Sequence, residues 1–236
     1  MSDMKVALVT GGSSGLGREL VAALAAEGWR VITDGRRQDE LVAATTDFRN
    51  VTAIPGDVTD VAHRGALVAA VRDSGRLDLL VNNASTLGPT PLVPLAQRTV
   101  EDVPQVWRTN VGAPFALAVE LLPDLLMHDG VLLSISSDAA VEHYEGWGLY
   151  GAAKAALDHL TLTLAEENPA LHAYAVDPGD MRTPMHQAAF PGEDISDRPE
   201  PATVIPHLRH LWTASPPSGR YRAADLPAHE TTGTHA

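Results

Sequence analysis

Ser137, Tyr150 and Lys154 lie close together in the chain, and their types and spacing suit proton transfer to an oxygen. From Tyr150 onward the sequence reads as a helix, AAKAALDHLTLTLAEE with good formers and an apolar stripe, entered through Gly148 and Gly151. Tyr150 and Lys154 are then i and i+4 neighbours on one helical face. A tyrosine at its reference pKa of about 10 is a poor acid–base catalyst near neutrality, and an ammonium held beside it favours the phenolate. Ser137, delivered at the end of an apolar strand, is placed to hydrogen-bond a substrate oxygen in front of Tyr150. The plainer alternative is an amphipathic pair on an ordinary helix. Against it, the chain uses arginine almost everywhere and has only two lysines, Lys5 and Lys154.

The elements that must position these groups alternate strand and helix. Lys5–Thr10 reads as a buried strand, followed at once by TGGSSGLG (Thr10–Gly17) and a helix over Leu16–Glu27. Gly11, Gly15 and Gly17 allow a tight turn and let backbone N–H groups approach a pyrophosphate at the helix N-terminus. Arg30–Asp34 is a second strand, closed by Gly35, Arg36 and Arg37. In a dinucleotide fold an acid here takes the adenosine 2′-hydroxyl and an arginine a 2′-phosphate, so Asp34 competes with Arg36 and Arg37 for the assignment. A helix from about Gln38 to Thr46 leads to a strand at Val51–Ile54. Asp57 then either accepts from an adenine amino group or caps a helix starting near Thr59.

Leu77–Val81 is a fourth strand, ending in Asn82, Asn83, Ala84 and Ser85 where open parallel sheets bind ligands. Val100–His128 is helical in period, with Asn110 followed so soon by Gly112 and Pro114 that a local kink is expected, freeing a carbonyl to hold a water. Val131–Ser136 is the strand that delivers Ser137. Leu171–Val176 is a sixth strand, running into Asp177–Asp180. Met181–Glu200 reads as a loop and candidate lid, Pro201–Ala214 as one more helix and Gly219–Ala223 as a short last strand. The pattern predicts an α/β fold, one doubly wound parallel sheet with helices on both faces, over residues 1–226, with a polar, fraying tail at 227–236.

Composition bounds the partners. The 236 residues carry 17 basic and 30 acidic side chains, a formal charge of −13 that disfavours nucleic acid and anionic membrane. With no cysteine there is no disulfide, thiol nucleophile or zinc–thiolate site, and the ten histidines are scattered, so no metal is expected. No apolar run approaches the about 18 residues of a membrane span. The N-terminus has no signal-peptide pattern, and a soluble cytoplasmic protein is expected.

With these motifs in order, residues 5 to 185 resemble the short-chain dehydrogenase/reductase family. TGGSSGLG matches its T-G-x-x-x-G-x-G cofactor loop, Asp57 its adenine-side acid, and Asn82-Asn83-Ala84 most of its N-N-A-G, with Ser85 in place of the glycine. Asn110, Ser137, Tyr150 and Lys154 match its catalytic tetrad, and Pro178-Gly179 with Thr183 its P-G-x-x-x-T element. The family's D-G-G ending is missing. The resemblance implies reversible hydride transfer between a nicotinamide and a small carbonyl compound or its alcohol. Tyr150 would be the acid/base, Lys154 the holder of the nicotinamide ribose and Asn110 the keeper of a water. It implies a cofactor site built from Gly11, Ser13, Ser14, Gly15, Leu16, Gly17, Arg36, Arg37, Asp57, Val58, Asn83, Ala84, Ser85, Tyr150, Lys154, Pro178, Gly179, Met181 and Thr183. The family's discriminating acid aligns with Gly35, and Arg36 marks NADP-preferring members, so NADP(H) is expected, with NAD(H) the alternative through Asp34. It also implies a homodimer or homotetramer. The rival functions are an NADP-sensing binding protein without turnover and a ketoacyl-type or pteridine-type reductase.

Overall fold

The computed structural model describes residues 4–229. Seven strands form one parallel sheet in the order β3-β2-β1-β4-β5-β6-β7. They are β1 (Val6–Val9), β2 (Arg30–Gly35), β3 (Val51–Pro55), β4 (Leu79–Asn82), β5 (Val131–Ile135), β6 (His172–Asp177) and β7 (Gly219–Arg222). The helices are α1 (Gly15–Ala26), α2 (Gln38–Thr45), α3 (Val61–Ser74), α4 (Val103–Trp107), α5 (Ala113–Met127), α6 (Gly148–Glu167), α7 (Pro184–Ala189) and α8 (Ile205–Thr213).

Strand periodicity sorts the core into two layers. Along β1, Ala7 and Val9 face α1 and α8, where Leu20, Val21, Leu24, Leu208 and Leu211 close over them. Val6 and Leu8 face the other way, onto Leu67 and Val71 of α3 and Leu117 and Leu121 of α5. Each such side chain stabilises the fold by about 1.5–3 kcal/mol on full burial, so the strands are apolar on both sides and the sheet is covered on both. The order of strands reverses between β1 and β4. The connections that leave the C-terminal ends of those two strands run to opposite sides of the sheet and leave between them the crevice in which such sheets take ligands.

The expected elements are present, with informative differences. Asp60, not Asp57, caps α3, which begins at Val61, while Asp57 accepts from the Thr59 N–H at 2.8 Å. The kink at Asn110 is a π turn, Arg108–Gly112, separating α4 from α5. Pro114 falls in the first turn of α5, where its missing N–H costs nothing. Helix α6 starts at Gly148, so Tyr150 already sits inside its first turn. The segment at 181–200 is not simply a loop: Thr183 accepts from the His186 N–H and starts the short helix α7.

Two expectations need correction. The stretch Val100–Met127, taken as one helical element, does reach the length and mean hydropathy (1.3) of a membrane span. Its Val106, Leu117, Leu121 and Leu125 are buried core residues, and this is a core helix of the α/β fold. The tail predicted to fray from 227 is anchored at its start, because the His229 N–H donates to Pro206 O (2.8 Å) and Arg209 donates to the His229 carbonyl (2.5 Å). The rest of that tail lies outside the described residues.

Candidate active site

Thr10 ends β1 and clasps the neighbouring strand. Its hydroxyl accepts from the N–H groups of Asn83 and Ala84, both at 3.0 Å, and the Asn83 amide donates back to Thr10 O at 2.7 Å. Asn83, expected to touch a cofactor, thus braces the loop that would hold it. Gly11 and Gly15 have φ of 73° and 55°, which L side chains adopt at a cost. A Cβ on Gly17 would strike the Gly11 carbonyl and the Asn83 amide. The loop therefore turns tightly into α1, whose first N–H groups have no partner within the helix and face the groove. Backbone donors at a helix N-terminus, approached through glycines, are what a dinucleotide pyrophosphate requires. The cradle fits the cofactor.

At the end of β2 the three candidates Asp34, Arg36 and Arg37 are held differently. Asp34 is 2% exposed, and its carboxylate accepts from the Gly11 N–H (2.7 Å) and bonds the His63 ring (3.0 Å). Both oxygens are engaged inward, so Asp34 is a brace for the glycine loop. Arg37 is held by Glu40, a residue of its own turn. Arg36 is exposed, lines the groove beside Gly35, and faces Asp57. Partial burial of Asp57 works against its charge, but the Thr59 hydrogen bonds, Arg36 and His63 together hold its carboxyl below the ordinary value.

At the other end of the groove β5 and α6 bring Ser137, Tyr150 and Lys154 together. Tyr150 is 7% exposed and Lys154 2%. The Lys154 ammonium donates to Ile135 O at 2.7 Å and lies 5.6 Å from the centre of the Tyr150 ring. Burial brings its pKa down to about 8, with Asp158 pulling the other way. For Tyr150 burial dominates and pushes the phenol up, while hydrogen bonding to Ser85 and Ser137 opposes it. The lowering expected from Lys154 is not seen: burial dominates, and the negative charges of Asp138 and Asp177 push the phenol further up. Ser137 Oγ donates to Asp138 Oδ1 (2.9 Å) and accepts from Ala139 N (3.1 Å). Gly151 is required because a Cβ there would strike the Ala139 carbonyl.

Asn110 is fully buried at the π turn and does not line the groove. Its amide oxygen accepts from Thr86 N (2.9 Å) and Ser85 Oγ (3.2 Å), and its amide N–H donates to Thr86 O (2.8 Å). Ser85, which stands where a glycine was expected, therefore adds a hydroxyl between Asn110 and Tyr150. Beyond β6, the Gly179 N–H donates to Asp177, and the Thr183 methyl lies across the groove where a side chain on Gly15 would touch it. Trp147, Leu92, Met185 and Phe190 pack with Tyr150 and Ala139 into an apolar wall.

All the expected site residues except Asn110 line this one groove. Sequence reasoning missed Thr109, Asp138, Trp147, Met185 and His186, which also line it. Asp138 and Trp147 had a signal, adjacency to Ser137 and a place one turn before Tyr150. Met185 and His186 had none, because only the fold of α7 brings them over the site. Among the described residues no group of three or more His, Asp or Glu side chains converges as a metal site would.

The short chain dehydrogenase profile matches residues 5–194. An uncharacterised oxidoreductase of Escherichia coli K12, YciK, is 32% identical over 92% of this chain and 88% of its own. A serine 3-dehydrogenase of Rhizobium radiobacter is 32% identical over 89% and 88%. A short chain dehydrogenase from Shigella flexneri 2a, solved in complex with NADP, superposes with a TM-score of 0.86 at 29% identity, covering 95% of this chain and 98% of that one. A glycine loop clasped to β4, a phenol and ammonium on one turn of α6, and matches along most of the chain agree: the protein is an NAD(P)-dependent oxidoreductase and belongs to the short chain dehydrogenase family.

Proposed function

We propose that the protein interconverts a small carbonyl compound and its alcohol, prefers NADP(H), and uses Tyr150 as the general acid/base. The observation that carries this is the convergence of Tyr150, Ser137 and Lys154 at one end of the groove whose other end is the glycine loop. When bound, the nicotinamide supplies the carbon that gives or takes the hydride. In the reductive direction the Tyr150 hydroxyl donates its proton to the substrate oxygen. Ser137 Oγ turns from Asp138 to hydrogen-bond the same oxygen, fixing it in front of the phenol. Lys154 would hold the ribose of the bound cofactor, and its ammonium would stabilise negative charge on Tyr150 after the proton has left. Asn110 reaches the phenol through the Ser85 hydroxyl, and the π turn that carries it interrupts the regular helical carbonyl pattern where a water would link Lys154 to solvent.

Support for NADP(H) comes from the ribose end. Asp34 is committed to Gly11 and His63, while Arg36 is exposed beside the groove. Solved relatives from Shigella flexneri and Escherichia coli carry NADP and NADPH. We also propose a homodimer or homotetramer, because Phe115, Val119 and Leu126, together with Leu122, form one apolar stripe on α5 and the first three are more than a third exposed.

The test is a fluorescence titration with NADPH and NADH, followed by a carbonyl screen with the tighter cofactor. Tight NADPH and weak NADH binding with turnover is the expected result. Preference for NADH would move the ribose contact away from Arg36. Cofactor binding with no turnover on any carbonyl would favour the non-catalytic sensor.

A further inference from the structure

Behind the groups that face the groove lies a second layer of charge. Asp158 sits one helical turn beyond Lys154 on α6 and is 7% exposed. Its Oδ2 accepts from Nε of Arg220, on β7, at 3.0 Å. Nη2 of the same guanidinium donates to the carbonyl of Ser137 at 2.8 Å. One planar fork therefore ties the catalytic helix and the end of β5 to the last strand, a span a lysine's single point charge could not make.

The chemistry of Lys154 calls for such a partner. A buried ammonium is costly unless a counter-charge stands near it, and the Ile135 carbonyl satisfies only one of its three N–H groups. Asp158 attracts Lys154; burial raises the Asp158 pKa above the ordinary value, and Ser136, Arg220 and Lys154 work against that rise. Other charged groups stand nearby: Asp138 after β5 and Asp177 at the end of β6 act on Tyr150, and Arg220 and Arg222 of β7 act on Asp177. The acid that acts on Lys154 is Asp158.

We propose that the Asp158–Arg220 pair is a positioning unit for the active site, supplying the counter-charge of Lys154 and pinning the backbone of Ser137 from the last strand. Its catalytic consequence rests on the oxidoreductase mechanism proposed above, but its electrostatic consequence does not.

Because the chain has two lysines, protein labelled with 13Cε-lysine gives two side-chain resonances, assigned with Lys5→Arg. In the wild type the Lys154 resonance should titrate near about 8. Asp158→Asn should lower that midpoint, since an opposite charge is removed and Arg220 is left uncompensated. Asp158→Glu should restore most of it. An unchanged midpoint in folded Asp158→Asn overturns the proposal. If that variant fails to fold, Asp158→Asn/Arg220→Gln, which leaves no unpaired guanidinium, takes the same test with the same expected direction. Reduction of 4-nitrobenzaldehyde by NADPH, followed against pH, separates the two readings. A shifted midpoint with no turnover by the wild type of this aldehyde or of any other carbonyl would sustain the pair and favour the non-catalytic sensor. Turnover whose alkaline limb ignores Asp158→Asn, with no NMR shift, would refute the pair alone.

Discussion

Tyr150 is pulled in two directions: burial holds its proton on, and the hydroxyls of Ser85 and Ser137 ease it off. Tyr150→Phe should lower kcat by about 10²–10⁴-fold while NADPH binds nearly as before, read by initial rates and a fluorescence titration. Ser85→Gly removes a hydrogen bond that favours the phenolate, so the Tyr150 pKa rises. Alcohol oxidation needs the phenolate, and its acidic limb should move to higher pH; a pH–rate profile that stays in place would show that Ser85 does not act on Tyr150. The Y-x-x-x-K pair was legible in the sequence because one turn of helix suffices to bring its members together. The inward commitment of Asp34 was not. It depends on His63, 29 residues away on α3, whose ring lies beneath Gly56.

At the scale of elements, the glycine loop and α1 form one device with β4. Gly17→Ala should abolish binding of NADPH and NADH together, because the new methyl meets backbone of Gly11 that has nowhere to retreat. Arg36→Ala should act differently. It should weaken NADPH by about 10–100-fold, the loss of a charge-assisted contact, and leave NADH almost unchanged in the same titration. The kink at Asn110 was readable from Gly112 and Pro114, since helix interiors disfavour both. That it takes the form of a π turn was not, because the choice is made by Thr86 and Ser85 docking on the Asn110 amide. Likewise α7 looked like loop, its six residues being too few for a period to emerge.

For the whole molecule, the alternation of strands and helices made the sheet legible, since apolar runs separated by helical periods leave little else to build. What covers α5 is a matter of assembly. Its inner face, Leu117, Leu121 and Leu125, closes the core, while Phe115, Val119 and Leu126 face outward. Phe115→Glu/Val119→Glu should give a monomer by sedimentation velocity with little loss of thermal stability; a wild-type protein that already sediments as a monomer would refute the assembly. Leu117→Ala, on the inner face, should instead cost about 2–5 kcal/mol in urea unfolding. The clasp between Thr10 and Asn83 joins residues 73 apart in the chain. Closing so long a loop carries an entropy cost that the docking of β4 against β1 must meet. A dinucleotide that binds the glycine loop of the folded protein and not the open chain should slow unfolding, lengthening the lifetime of the native state.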